Sequence, residues 1–209
     1  MLTPIQKDTL TEILNMHMGK SASQLSDMVN QKVILSVPEV ELRRGSEMGA
    51  DGLQKDQLFE AGNLVVTSVA FGDAFKGHAL VIFPEDKAKI LVNACLGNDL
   101  TEGIGQSLSG EDSDVIREIC NIILNSLVGE FGNLLDVRLE YSSFEMGISR
   151  VAALDKSSFL PRDSQVLVLY ISFFLTVSQV RGVLLIALSG PSFKMLTDKI
   201  DGMLRDLDV

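Results

Sequence analysis

Histidine and cysteine are both scarce. The 209 residues hold two of each, His17 and His78, Cys95 and Cys120. No CxxC pair occurs, so a typical structural zinc site lacks its ligands, and a reduced setting accounts for the cysteines most simply. Basic residues are in deficit too: 18 Lys and Arg against 28 Asp and Glu leave a formal charge of −10. That excludes a nucleic-acid binder working through overall positive charge. Long apolar runs are also missing. The longest uncharged stretch, Ser164 to Val180, is interrupted by Ser172, Thr176, Ser178 and Gln179. A membrane helix needs about 20 predominantly apolar residues, so this run reads as buried β-structure. The opening Met1 to Asp8 has no basic region followed by an apolar core, so no signal peptide is expected and a cytoplasmic location is. What the chain does have is 46% hydrophobic and 22% charged residues, the balance of a folded globular protein of one large or two small domains.

The order of predicted elements repeats. Thr3, Pro4 and Gln6 form an N-cap, a first helical residue and a capping-box partner, opening a helix to about Met28. Leu10, Ile13, Leu14, Leu25 and Met28 fall on one side of it; Asp8, Glu12 and Asn15 fall on the other. Residues 32–43 read as extended chain interrupted at Pro38, and 44–62 as a polar connection with room for one helical turn. Runs 64–71 and 77–83 flank a hairpin turn, and Pro84 opens a short helix closed by Gly97. Ser109 then starts a second long helix, 137–141 a strand, 166–175 and 182–188 a second hairpin, and Gly190 a last helix to about Leu207. The chain therefore reads as an α/β (α+β) protein: a duplicated unit about a pseudo-two-fold axis, with a mainly antiparallel sheet, two long helices on one face and shorter helices elsewhere. One domain over residues 1–209 is expected, with repeats at about 1–105 and 106–209.

The chemistry-bearing residues lie on the two long helices. Asp8, Glu12 and Asn15 stand at i, i+4 and i+7, and Asp114, Glu118 and Asn121 repeat the types and spacing 106 residues later. One such ridge is what any solvated helix face shows. Its repetition is not, because a solvated face tolerates any polar residue. With Pro38 following Asn15 after 22 intervening residues, the pattern resembles the CheC, CheX and FliY family of chemotaxis phosphatases, in the CheC type with two sites in one chain. The second copy departs by carrying Phe144 where the proline should stand.

The resemblance implies hydrolysis of the phosphoaspartate on a CheY-like response regulator. Asn15 and Asn121 would orient the attacking water, and Glu12 and Glu118 would pair with the regulator's lysine. Asp8 and Asp114 would support the Glu or the docking surface, and Pro38 would play a structural part beside the site. No cofactor or metal is expected on this chain; Mg²⁺ is expected on the regulator. The family also implies two other roles: a docking module like the middle domain of FliM, and a regulator that binds the receptor deamidase CheD. Because Phe144 cannot reproduce proline's fixed φ, the first site is expected to be the more active.

Other features carry less. A metal on Asp8 and Glu12 lacks a histidine beside it. His17 reads as a core or boundary histidine and Cys120 as a small core hydrophobe. Thr101 to Gln106 carries two glycines without the strand, helix and lysine of a phosphate cradle. Gly19, Ala22 and Ser23 continue the face of the first trio, with Asn125 and Gly129 in the places of Gly19 and Ser23 in the second copy.

Overall fold

The computed structural model describes residues 2–30, 32–48, 62–150, 160–175 and 179–206. Four helices are described: α1 (Pro4–Val29), α2 (Glu85–Leu96), α3 (Gly110–Leu135) and α4 (Gly190–Asp206). The strands are β1 (Ile34–Arg44), β2 (Asn63–Asp73), β3 (Gly77–Pro84), β4 (Leu139–Tyr141), β5 (Glu145–Arg150), β6 (Gln165–Phe174) and β7 (Gln179–Leu188). A 3₁₀ turn occupies Gly45–Glu47, inside the connection where one helical turn was expected; the rest of that connection, 49–61, lies outside the described residues, as does Leu207. Strand β5 was not anticipated. Its residues, Glu145 to Arg150, include only two large apolar side chains, Met146 and Ile148, too short an alternation to stand out as a strand.

The duplication is visible in the helix ends. Both α1 and α3 run 26 residues, and each opens with a reciprocal capping box, Thr3 with Gln6 and Ser109 with Asp112. Each closes on a left-handed residue, Asn30 and Asp136. Every one of these positions is offset by 106. The sheet shows the same symmetry: its order is β1-β6-β7-β3-β2, with β4 and β5 both on the free side of β2, and every pairing is antiparallel. Exchanging the two halves maps this order onto itself. The lone strand of each half flanks the other half's hairpin, and the hairpins meet at β3 and β7.

Alternation assigns the faces. Val65, Val69, Phe71, Ala79, Val81, Phe83, Leu167, Leu169, Ile171 and Phe173 belong to a buried cluster shared with all four helices. The intervening Leu64, Val66, Leu80, Ile82, Val166, Val168, Val183 and Leu185 form a second cluster on the opposite face, with Met48 and Leu160. Strand β1 keeps its apolar side toward the helices only by breaking period. Leu35 and Val37 pack there, then Val40 and Leu42, and the parity changes at a bulge between Ser36 and Glu39, which pair with Ser172 and Tyr170. The second copy does the same 106 residues later. Between Tyr141 and Glu145, paired with Phe71 and Ser68, three residues oppose two, and Leu139, Phe144 and Met146 face the helix-side cluster. The break thus forms with Pro38 in one copy and Phe144 in the other.

One glycine marks how tightly the layers close. A Cβ on Gly182 would meet Phe83 Cδ1 at 2.6 Å and Ile82 O at 2.9 Å, and Phe83 is fully buried against Phe173 with ring centroids 5.4 Å apart. Gly182→Ala should cost about 1–3 kcal/mol of stability through overpacking. Gly147→Ala, whose Cβ meets nothing within 4 Å, should cost about 0.5 kcal/mol or less, as surface changes do. Denaturant midpoints of the two variants check this, and equal midpoints would contradict the packing argument.

Candidate functional site

Helix α1 packs on β1 and α3, so its apolar side is fixed and its polar ridge faces out. Asp8 and Glu12 are exposed and Asn15 is half-buried; Asp114, Glu118 and Asn121 repeat those three states on α3. Both trios therefore lie on convex helical faces. The larger hollows are elsewhere, one lined by Asn63, Glu85, Asp86 and Gln106, another by Lys76, His78, Asp163 and Ser189. A convex ridge can present an amide and a carboxylate but cannot enclose a small substrate.

The two amides are held differently. Asn15 brackets the backbone of one residue of β1: its Nδ2 donates to Val37 O at 3.0 Å and its Oδ1 accepts from Val37 N at 2.8 Å. Val37 precedes Pro38 and lies within the bulge, where its backbone groups escape the regular ladder. The 22-residue gap of the motif thus ends beside the residue that Asn15 holds. Asn121 instead accepts a hydrogen bond from Asn125 Nδ2 at 2.7 Å, one turn on along its own helix. The residue equivalent to Asn125 is Gly19, which has no side chain to offer. At Ser143, the counterpart of Val37, the carbonyl accepts from Ser142 Oγ at 3.1 Å, and that hydroxyl in turn accepts from Ala70 N at 3.0 Å.

Around the trios, Arg117 donates to Asp114 at 3.0 Å, an exposed i,i+3 pair worth a few tenths of a kcal/mol at most. His17 pairs with Glu130 at 3.2 Å across the two long helices. Ala22 is buried, while Gly19 and Ser23 are exposed, so only the latter two extend the open face. Met16, one turn past Glu12, is an exposed large hydrophobe at 63%. Glu130, Met16 and the Asn125 bond carry no signature in the sequence, since each depends on a neighbour that spacing alone does not specify.

The start of α3 is anchored by charge. Buried Asp112 accepts both oxygens' worth of hydrogen bonding from Lys89 Nζ, at 2.9 Å each, and caps Ser109 N at 2.9 Å. Burial alone would raise its carboxyl, but the lysine and the Ser109 donors hold it below the ordinary value. Its contribution is accordingly present above the unfolded pKa and fades as pH falls through the folded one. Cys120 is fully buried and its thiol is pushed up to about 12 by desolvation, and Cys95 to about 11. Neither supplies a thiolate near neutrality.

Fold and motif are both similar to those of CheC-like proteins. Residues 5–42, which span α1 and most of β1 with the first trio and Pro38, match the CheC-like family. Among curated relatives, the flagellar motor switch phosphatase FliY of Bacillus subtilis (strain 168) is 23% identical over 178 residues, 85% of this chain and 44% of that protein. The chain thus spans less than half the length of that relative. The X-ray structure of Thermotoga maritima FliY is similar at a TM-score of 0.75, with 19% identity over 96% of this chain and 98% of that one. The FliM middle domain of H. pylori is similar at a TM-score of 0.65, with 11% identity over 95% of this chain and 99% of that one. These matches bear out the CheC, CheX and FliY resemblance carried by the two motifs. No described helix is long and apolar enough to cross a membrane.

Since Val37 is 1% exposed, removing the Asn15 amide leaves a buried N–H and C=O unpaired. Asn15→Ala should cost about 1–3 kcal/mol and speed hydrogen exchange at the Val37 amide. Asn121→Ala, which frees only an exposed partner, should change stability by less than about 0.5 kcal/mol. Denaturation and amide exchange read both, and equal costs in the two variants would contradict the difference in bracing.

Proposed function

We propose that this chain is a phosphatase for the phosphoaspartate of a CheY-like response regulator, working at two helical sites. One observation carries the reading. Two Glu and Asn pairs at identical spacing stand on open convex faces, where side chains can enter a partner's active site but cannot form a closed site of their own. An acyl phosphate is already activated, so the regulator supplies the phosphoryl group, the Mg²⁺ and a lysine. What this chain adds is position. The Asn amide accepts a hydrogen bond from water and holds it in line. Water oxygen bonds to phosphorus as the bond to the aspartyl oxygen breaks, and the regulator's carboxylate leaves as inorganic phosphate forms. Glu12 and Glu118 bind the regulator's lysine and set the register of docking. Asp8 and Asp114 lie one turn earlier and tune the docking surface, and Pro38 supports the bulge beneath Asn15.

Between the sites, the first is the more active, because its amide is held by backbone on both polar atoms. The strand break forms in both copies, so the hydrogen bonds are a more direct ground for this asymmetry than Pro38 itself. A second reading is favoured by the FliM-like fold: a docking module that binds without hydrolysis. Binding of a CheD-type deamidase is a further expectation of the resemblance, open to co-purification.

Phosphate release from a CheY-type receiver domain, phosphorylated with acetyl phosphate in Mg²⁺, separates the readings. Asn121→Ala should lower kcat with little change in KM, whereas Glu12→Ala and Glu118→Ala should raise KM as well. Asn15→Ala should remove the larger share of activity. Receiver binding with no acceleration of phosphate loss would favour the docking module, and weakened binding at unchanged kcat in the Asn variants would contradict the assigned roles.

A further inference from the structure

We propose that Asn125 is a positioning residue of the second site, holding the Asn121 amide at an angle that the Val37 backbone sets for Asn15. The inference rests on the phosphatase reading and concerns how that site is built. In the first copy the bracket is complete, with both polar atoms of Asn15 engaged by one backbone residue. In the second the equivalent backbone residue is Ser143, whose carbonyl accepts from the Ser142 hydroxyl. Asn121 Oδ1 has its partner on its own helix, at Asn125 Nδ2, 2.7 Å away. Only one of the two lone pairs of Asn121 Oδ1 is used there, so the other still accepts from a water.

Gly19 at the equivalent place in α1 is consistent with this division. A Cβ there would meet nothing within 4 Å, so space does not exclude a side chain. The first site has its backbone bracket and does not need one. Asn125 is exposed, so water competes for its bond and the hold is partial.

The test measures phosphate release from an acetyl-phosphate-labelled CheY-type receiver in the Asn15→Ala background, where the second site acts alone. Adding Asn125→Ala should lower kcat about twofold with KM unchanged, the occupancy that an exposed i,i+4 amide pair is worth. Asn125→Gln, which keeps a donor, should restore it. In parallel, the ¹⁵N side-chain resonances of Asn121 should move in Asn125→Ala and return in Asn125→Gln. Unchanged or raised kcat in Asn125→Ala, no rescue by Gln, or no turnover at all in Asn15→Ala would each overturn the proposal. Inactivity of the unaltered chain would instead refute the phosphatase reading, and Asn121 resonances unmoved by Asn125→Ala would still refute the bracing.

Discussion

Neither half of this protein can complete its own sheet, and that constraint organises everything else. Each half contributes a hairpin and a separate strand, but β1 pairs with β6 and β5 with β2, so every lone strand finds its hydrogen bonds in the other half. Backbone groups left unpaired in a buried layer cost free energy comparable to a lost hydrogen bond each, which makes the exchange obligatory once the halves meet. The exchange also fixes the helices. Because β1 lies at one margin and β5 near the other, α1 sits over β1, and α3 packs beside α1 on the same apolar face.

A bulge in each exchanged strand then serves two ends. It restores the apolar side of β1 to the helices, so Leu35, Val37, Val40 and Leu42 all contribute to one cluster. It also releases Val37 from the ladder, making its N–H and C=O available to Asn15. Core packing and the geometry of the candidate site are therefore set by one extra residue.

Much of this was legible in the sequence because it depends on local rules. Capping boxes at Thr3 and Ser109, apolar periodicity on the long helices, and two hairpins flanked by Val, Leu and Ile fixed the elements and their repetition. The trios were legible because their spacing is helical and recurs. What spacing could not show is which backbone lies beneath a half-buried amide. The motif's 22-residue gap to Pro38 hinted at a partner across the fold, but the atoms that Asn15 touches belong to Val37, an ordinary strand residue with no side-chain signature. Strand β5 is hard to read for the same reason: its pairing with β2 supplies its order, and its own alternation rests on only Met146 and Ile148.

The duplication also separates what the fold requires from what the chemistry requires. Closing the sheet demands two lone strands, and covering its apolar face demands helices, whether or not both long helices carry a working site. Under the proposed phosphatase reading, one braced Asn would suffice for in-line attack on an activated acyl phosphate, since positioning is the main contribution that would remain to be made. The second helix is therefore free to depart in the details that brace its amide while keeping those that pack its core. The residues divide that way: the caps, the length and the buried face of α3 match α1, whereas Gly19 is replaced by Asn125, and Pro38 by Phe144. Phe144 packs its ring on the helix-side cluster, so the position that lost its proline still serves the core. The two copies are alike at the caps and in which helix faces they bury, and they differ in what braces the amide, the Val37 backbone for Asn15 and the Asn125 side chain for Asn121.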